Sequence, residues 1–205
     1  MMKLYYAPGA CSLAPHIALH EAGAEHETEK VDLAGGEQKT PEYLAINPKG
    51  AVPALKTDRG VLTENPVILG YIAQENPDAK LAPNDDSFAF GQMQSFNIYL
   101  SGSVHPALGK LMFSRPPLEG QAKDDARALA VAKLRMVEDA LFKGPWAAGG
   151  DYTVADGYLY VFERWAKQGG LFDDGSFPKL SEHMARVQER PAVRRALEHE
   201  GLTPL

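Results

Sequence analysis

The chain of 205 residues contains a single cysteine and no long apolar run, and both deficits exclude whole classes of protein. One cysteine, Cys11, rules out an intrachain disulfide framework and is typical of a reducing compartment, so we expect a cytoplasmic protein. No stretch reaches the roughly 18 consecutive apolar residues of a membrane-spanning helix, so we expect no membrane partner. The formal net charge of −6 argues against a nucleic-acid partner, because proteins that bind nucleic acids usually present a basic surface.

Nucleotide and metal signatures are also missing. The sequence has neither a G-x-x-x-x-G-K loop nor a G-x-G-x-x-G loop, so nothing in it favours a bound nucleotide. His16 and His20 have the spacing of metal ligands on one helix face, but no third ligand stands out in the sequence, and the glutamate of an H-E-x-x-H motif is absent. We therefore expect no metal.

What the sequence does contain changes in character near residue 80. Before that point, short β-prone runs alternate with segments of helical periodicity. We predict strands over 3–6, 26–31, 52–56 and 61–63, and helices over 11–22, 41–46 and 65–75. Residues 77–86, rich in proline, aspartate and asparagine, form a predicted linker. Beyond the linker, periodicity predicts only helices, over 87–113, 118–142, 154–167, 179–189 and 192–200.

This pattern predicts an α+β protein of two domains. Residues 1–78 are expected to form a small sheet with helices packed on it, and residues 87–205 an all-α domain. Thr153 and Asp156 have the spacing of a capping box before an apolar, aromatic helix, which indicates a helix start at that point.

Cys11 is the first candidate for chemistry. It follows a strand and the Pro8-Gly9 turn and stands at the start of a predicted helix, whose N-terminus carries partial positive charge and free N–H groups. Such positions can lower a cysteine pKa from about 8.5 to roughly 3.5–7.5, or can stabilise the thiolate of a bound thiol instead. Cys11 is also compatible with a packed core residue. Ala14 occupies the partner position of a C-x-x-C motif, so an intramolecular dithiol cycle is excluded.

Two segments are compatible with ligand binding. Val52-Pro53 precedes a strand; a cis bond there would leave the backbone of Val52 free to pair with a peptide-like ligand, whereas a trans proline would simply begin the strand. Glu64 and Asn65 precede Pro66 at a helix start, with Asn65 as the expected N-cap. These two residues suit the ammonium and carboxylate groups of an amino acid, or form a plain helix cap.

His105 lies inside the helix predicted over 87–113 and is followed by Pro106. A proline inside a helix clashes with the carbonyl group four residues back, so we expect a kink at this position. A histidine beside a kink suits a cleft, although a structural histidine is equally compatible with the pattern.

Taken together, these motifs resemble a glutathione S-transferase, and specifically its bacterial beta class. The resemblance is carried by the N-terminal YYAPGACSLAPHIAL, by NPKGAVPAL at 47–55, by LTEN at 62–65 and by RVQERPAVRRALEHEGL at 186–202, in that order along nearly the whole chain. It implies the glutathione transferase fold, with a thioredoxin-like N-terminal domain and an all-α C-terminal domain. It also implies glutathione as co-substrate, a hydrophobic electrophile as second substrate, a role in detoxification, and a homodimer without a metal.

The resemblance further implies roles for individual residues. Cys11 and His105 match the catalytic residues beside the glutathione sulfur. The positions that match glutathione-binding residues are Tyr6, Ser12, Val52, Pro53, Glu64, Asn65, Ser103 and Val104. Asn65 departs from the usual serine or glycine, and Lys39 is the expected contact for the glycyl end of the tripeptide.

The residues leave two other functions open. Cys11 could attack a disulfide or peroxide, with a second glutathione releasing the mixed disulfide, which would make the protein a glutathione-dependent oxidoreductase. The same fold could instead bind ligands without catalysis, because a fold does not fix a function.

Overall fold

Four short strands form one sheet in the first third of the chain. β1 (Met2–Tyr6), β2 (His26–Lys30), β3 (Ala54–Thr57) and β4 (Gly60–Thr63) lie in the order β2-β1-β3-β4. β2 runs parallel to β1, whereas β3 is antiparallel to β1 and β4 is antiparallel to β3. All four predicted strands are present, with ends shifted by no more than two residues. The computed structural model describes all residues 1–205.

Both faces of this sheet are covered by the helices α1 (Leu13–Glu21), α2 (Pro41–Ile46) and α3 (Asn65–Glu75). Because side chains alternate along a strand, the paired residues Leu4 and Leu55 join the main core, which includes α1 and α3. The next pair, Tyr5 and Ala54, packs on the opposite face against Tyr43 of α2.

The remainder of the chain is helical. Its helices are α4 (Ser87–Tyr99), α5 (His105–Phe113), α6 (Gly120–Met136), α7 (Val154–Gln168), α8 (Pro178–Gln188) and α9 (Pro191–His199). A π-helical turn, Leu100–Val104, joins α4 to α5, and a second, Val137–Leu141, extends α6. None of the helices combines the length and the apolar character needed to cross a bilayer.

The first π-helical turn stands where the sequence predicted a kink at Pro106. This proline lies in the first turn of α5, and the backbone N–H of His105 bonds to the carbonyl oxygen of Leu100, five residues back. The extra residue in the turn absorbs the missing N–H and the bulk of the proline ring. Such turns are frequent at functional sites.

Helix α1 is buried on every side. All residues from 13 to 19 are buried, and the helix contacts α3, α7 and α9. A helix that is apolar all round belongs inside a core rather than on a surface. The close approach of α7 requires a glycine, because a Cβ at Gly157 would lie 3.2 Å from Cγ2 of Ile17 and 3.1 Å from the hydroxyl oxygen of Tyr152. Helix α1 therefore joins the sheet to the helical half of the molecule.

The predicted capping box starts α7 and extends into a buried charge network. The carboxylate of Asp156 accepts hydrogen bonds from the backbone N–H groups of Thr153 (2.7 Å) and Ala147 (2.6 Å). His183 of α8 bonds to Asp156 through Nε2 (2.9 Å) and to Glu163 through Nδ1 (2.8 Å), and all three side chains are fully buried. Burial alone would lower the pKa of His183, but the two carboxylates outweigh it and raise the pKa to about 9.

The variant His183→Gln tests this network. The pKa of folded His183 lies above its ordinary value of 6.5, so its contribution to stability is complete below pH 6.5 and is lost as the pH rises towards 9. We expect the substitution to lower the free energy of unfolding by about 3–5 kcal/mol at pH 6, because it leaves buried carboxylates without a cation. Between pH 6.5 and 9 the difference should shrink by about 1.4 kcal/mol per pH unit. Urea denaturation of the parent and the variant at several pH values measures this difference in the free energy of unfolding. A difference that does not change with pH would contradict the assignment of a positive charge to His183.

Candidate functional site

A small cleft lies where the sheet half meets the helical half. Its volume is about 170 Å³, and its walls are formed by Cys11, Asn47, Lys49, Ala51, Val52, Pro53, Thr63, Glu64, Asn65, Ser101, His105 and Tyr158. Six of the ten residues singled out from the sequence are in this set. Segments far apart in the chain thus converge on one site.

Cys11 is a protonated, buried thiol in the free protein. The turn between β1 and α1 is held by Ser12, whose hydroxyl accepts from the backbone N–H of Ala7 (3.0 Å) and donates to the Ala7 carbonyl oxygen (3.2 Å). Sγ of Cys11 lies 3.5 Å from the carbonyl oxygen of Val52 and donates to it. Burial raises the pKa of Cys11 to about 11, and the neighbouring amide of Asn65 opposes this only in part.

Of the possibilities that the sequence left open for Cys11, burial therefore disfavours a lowered pKa in the free protein. Helix α1 begins at Leu13, two residues after the cysteine, and the loss of solvation outweighs the partial charge of the helix terminus. Cys11 is consequently a hydrogen-bond donor at neutral pH, not a free thiolate.

The loop before β3 forms the wall opposite Cys11. The buried side chain of Asn47 donates to the carbonyl oxygen of Ala51 (2.7 Å) and accepts from the backbone N–H of Lys49 (3.1 Å). Gly50 has a φ of 59°, and a Cβ there would lie 2.9 Å from the carbonyl oxygen of Gln38. The Val52-Pro53 bond, left open by the sequence, is cis.

The other end of the cleft is polar. Glu64, with a φ of 70°, occupies the N-cap position of α3, so the expectation that Asn65 is the N-cap is wrong: Asn65 is the first helical residue. A positive φ in a residue other than glycine costs of order 1–3 kcal/mol and clusters at ligand clamps. Nζ of Lys49 lies 2.6 Å from the Glu64 carboxylate and 2.9 Å from the Thr63 hydroxyl. Oδ1 of Asn65 is buried without a partner, so this end offers a carboxylate, an ammonium and a free amide oxygen.

The helical half contributes Ser101, His105 and Tyr158. The π-helical turn places Ser101 and His105, one turn apart, on the cleft wall. Burial lowers the pKa of His105 and the charge of Glu64 opposes the effect, so the imidazole is neutral at pH 7. Burial raises the pKa of Tyr158 far above its ordinary value, so its phenol stays protonated.

Four residues that the resemblance placed at the glutathione site do not line this cleft: Tyr6, Ser12, Ser103 and Val104. The ring of Tyr6 points the other way and packs against His16 (5.3 Å between ring centroids). The hydroxyl of Ser12 is hydrogen-bonded to the backbone of Ala7 in the turn, and Val104 is fully buried in the core. Ser103 is half-buried but lies outside the lining, where Ser101 takes its place.

Sequence reasoning missed Lys49, Ser101 and Tyr158. Ser101 carried a usable signal, because it lies four residues before His105 and so on the same helix face. Lys49 carried none, since its direction depends on how the loop around Asn47 folds. It, and not Lys39, is the lysine of the cleft wall.

A second, larger cleft of about 1200 Å³ lies between the linker at 77–85, α4 and the loop before α7. No cysteine or histidine lines it. The larger cleft is favoured by its volume alone, whereas the smaller cleft contains the cysteine and the histidine that could carry out chemistry. We therefore take the smaller cleft as the candidate active site.

Comparison with known proteins decides the family. Residues 1–74 match the family model described as "Glutathione S-transferase, N-terminal domain", and residues 120–186 match "Glutathione S-transferase, C-terminal domain". The chain belongs to the glutathione S-transferase family.

Individual members of the family match this chain over almost its whole length. The chain is 39% identical over 204 residues to glutathione S-transferase GstA of Escherichia coli O157:H7, a match that covers 98% of this chain and 100% of that protein. It is 40% identical to the bacterial beta class glutathione S-transferase of Sphingomonas chungbukensis, with a TM-score of 0.87 and coverage of 98% and 100%. A sphingomonad glutathione S-transferase complexed with glutathione is 41% identical, with a TM-score of 0.83 and the same coverage. The predicted fold class and the resemblance to the beta class are confirmed.

Alkylation of Cys11 tests the state of its thiol. Because the pKa of Cys11 is raised to about 11, the thiolate fraction is small at pH 7, and we expect slow reaction with iodoacetamide. The rate should climb continuously from pH 7 to pH 10 without a plateau, as followed by intact-protein mass spectrometry. A plateau with a midpoint below pH 8 would mean that the free protein stabilises a Cys11 thiolate.

Proposed function

We propose that the protein is a glutathione transferase that binds glutathione in the small cleft, ionises its thiol and presents the thiolate to hydrophobic electrophiles. The observation that carries this proposal is the convergence of a protonated thiol, a neutral imidazole and a charged polar end in one cleft between the two halves. Residues 1–78 are assigned to glutathione binding and residues 87–205 to the electrophile.

The cleft matches the tripeptide group by group. The γ-glutamyl end carries an ammonium, which suits the carboxylate of Glu64 and the free amide oxygen of Asn65, and a carboxylate, which suits the N-terminus of α3. Lys49 and Ser101 add polar contacts on either side. The cysteinyl backbone is assigned to the exposed edge at Val52, which brings the glutathione sulfur beside Cys11.

The order of the pKa values indicates which of the two thiols ionises. An ordinary thiol has a pKa of about 8.5, below the value of about 11 of Cys11, so the glutathione thiol loses its proton more readily and Cys11 remains an S–H donor. In the proposed step, the Cys11 S–H donates a hydrogen bond to the glutathione thiolate, and the neutral imidazole of His105, which lines the same cleft, accepts the departing proton and passes it to solvent. The thiolate attacks an electrophilic carbon, a C–S bond forms, and the leaving group departs with its electron pair.

The electrophile is assigned to the exposed ring of Phe113, which packs on the buried Trp165 next to His105. The ring of Trp165 packs on His105 (5.2 Å) and on Phe113 (4.9 Å), and Phe113 is 54% exposed. The indole N–H of Trp165 donates to the carbonyl oxygen of Gly9 (2.9 Å), which fixes the ring. An apolar surface of this kind suits a range of hydrophobic substrates.

We also propose a homodimer. Large apolar side chains are exposed on α4 and α6, at Phe88, Ile98, Leu129 and Met136. Several exposed large apolar side chains on two helices are compatible with a surface that a second copy of the chain covers.

Substitutions of Cys11 separate conjugation from thiol–disulfide chemistry. In Cys11→Ala the donor to the thiolate is lost, and we expect kcat/KM with an activated aryl halide to fall about 10- to 100-fold, as for one hydrogen bond to a charged group. Cys11→Ser keeps an O–H donor and should retain most of the conjugating activity. An oxidoreductase that attacks through the Cys11 sulfur would lose its activity in both variants.

Steady-state kinetics with the aryl halide and with a glutathione mixed disulfide measure both reactions. Equal loss of all activity in Cys11→Ala and Cys11→Ser would contradict the proposal and favour the oxidoreductase. Retention on immobilised glutathione without turnover of the aryl halide would favour a non-catalytic binding protein.

A further inference from the structure

Three histidines meet on the side of α1 that faces away from the cleft. His16 and His20 are one turn apart on α1, and α9 places His199 against them. One potential ligand atom of each histidine lies within 4.8 Å of those of the other two. The fold thus supplies the third ligand that the sequence did not reveal. None of the three lines the candidate active site.

The rings pack on one another, and two of their nitrogens have partners outside the cluster: Nδ1 of His16 lies against Glu200, and Nε2 of His199 lies 3.3 Å from the hydroxyl oxygen of Thr28. His16 stacks on His20 with 5.1 Å between the ring centroids and meets His199 edge-on at 4.9 Å. The Nε2 atoms of His16 and His20 are buried and have no hydrogen-bond partner. Buried polar atoms are nearly always paired, so two orphaned nitrogens on adjacent ligand candidates point to a missing partner.

A buried carboxyl group stands behind the ring of His16. Nδ1 of His16 lies 2.9 Å from a carboxyl oxygen of Glu200, whose other oxygen accepts from the backbone N–H of Gly9 (2.8 Å). When Nδ1 donates to Glu200, Nε2 of His16 keeps its lone pair for a metal ion. A carboxylate behind the ring in this way orients metal-binding histidines and raises their basicity.

We propose that His16, His20 and His199 bind a divalent transition-metal ion, for which Zn²⁺ is the best fit. Three imidazoles without a thiolate suit zinc, which takes three protein ligands and a water in a tetrahedral site. Zn–N bonds of about 2.0–2.1 Å place two ligating nitrogens about 3.4 Å apart, so the rings must close in slightly. His199 is exposed and His20 is half-buried, so these two side chains have more room for this movement than the fully buried His16.

The metal would tie the last helix to the first. His199 ends α9, so coordination joins the C-terminal helix to the core of the sheet half through α1. A ligand that binds only the folded state stabilises it by mass action. At a free Zn²⁺ concentration of 100 times the Kd, we expect the Tm to rise by about 5–10 °C.

Calorimetric titration of the chelator-treated full-length protein with ZnCl₂ tests the site. We expect one equivalent to bind, and His199→Ala and the double variant His20→Ala/His199→Ala to lose at least about 100-fold in affinity. Glu198→Gln, the exposed neighbour on the same helix, is the matched control and should bind like the parent. Cobalt(II) in place of zinc should give the intense visible bands of tetrahedral coordination, which unfolded protein would not reproduce.

The Cys11 thiol is another side chain of this chain that favours zinc, so the variant Cys11→Ala tests whether Zn²⁺ binds there instead. We expect Cys11→Ala to keep full affinity for Zn²⁺. Circular dichroism of the metal-free proteins checks that each variant is folded. If the double variant does not fold, the single variant His199→Ala, at an exposed position, provides the test. Binding that survives the histidine substitutions, binding that disappears in Cys11→Ala, or no binding up to about 1 mM Zn²⁺ would each overturn the proposal. The outcome is independent of glutathione turnover, because no cleft residue takes part.

Discussion

Burial of α1 on every side is the constraint from which both the fold and the site follow. The helix is enclosed by the sheet on one side and by α7 and α9 on the other, and Gly157 lets α7 approach within contact distance of Ile17. A helix without a solvent face has one position and one rotation. The turn that leads into it therefore holds Cys11 against Val52, and the opposite side of the helix places His16 beside His199 at the end of α9.

The same burial determines the electrostatics of the cleft. A desolvated thiol keeps its proton and a desolvated imidazole loses one, so Cys11 and His105 are both neutral before a ligand arrives. The charges of the cleft lie at its other end, on Lys49 and Glu64. In this arrangement Cys11 is a thiol and not a standing thiolate at neutral pH. The negative charge is expected to appear on the bound thiol, which is the property that separates a transferase from a thiol–disulfide oxidoreductase.

Periodicity and turn residues were sufficient to predict the architecture from the sequence. Every predicted helix and strand is present, and the segment around Pro106 differed only because a π-helical turn accommodates the proline. The site was less accessible to this reasoning. The position of Cys11 was predictable, but the direction of its pKa shift was not, because desolvation depends on how completely the helical half covers the cysteine. The roles of Lys49 and His199 could not be predicted for a similar reason, because their partners are determined by tertiary packing and not by spacing along the chain.

The most direct test of this account is the ionisation of glutathione bound to the intact protein, followed by the ultraviolet absorbance of its thiolate as a function of pH. The account predicts that the bound thiol ionises about two pKa units below its ordinary value, while the ligand-free protein shows no thiolate signal near neutral pH. A bound thiol with an unshifted pKa, or a thiolate signal from Cys11 in the ligand-free protein at pH 7, would contradict it.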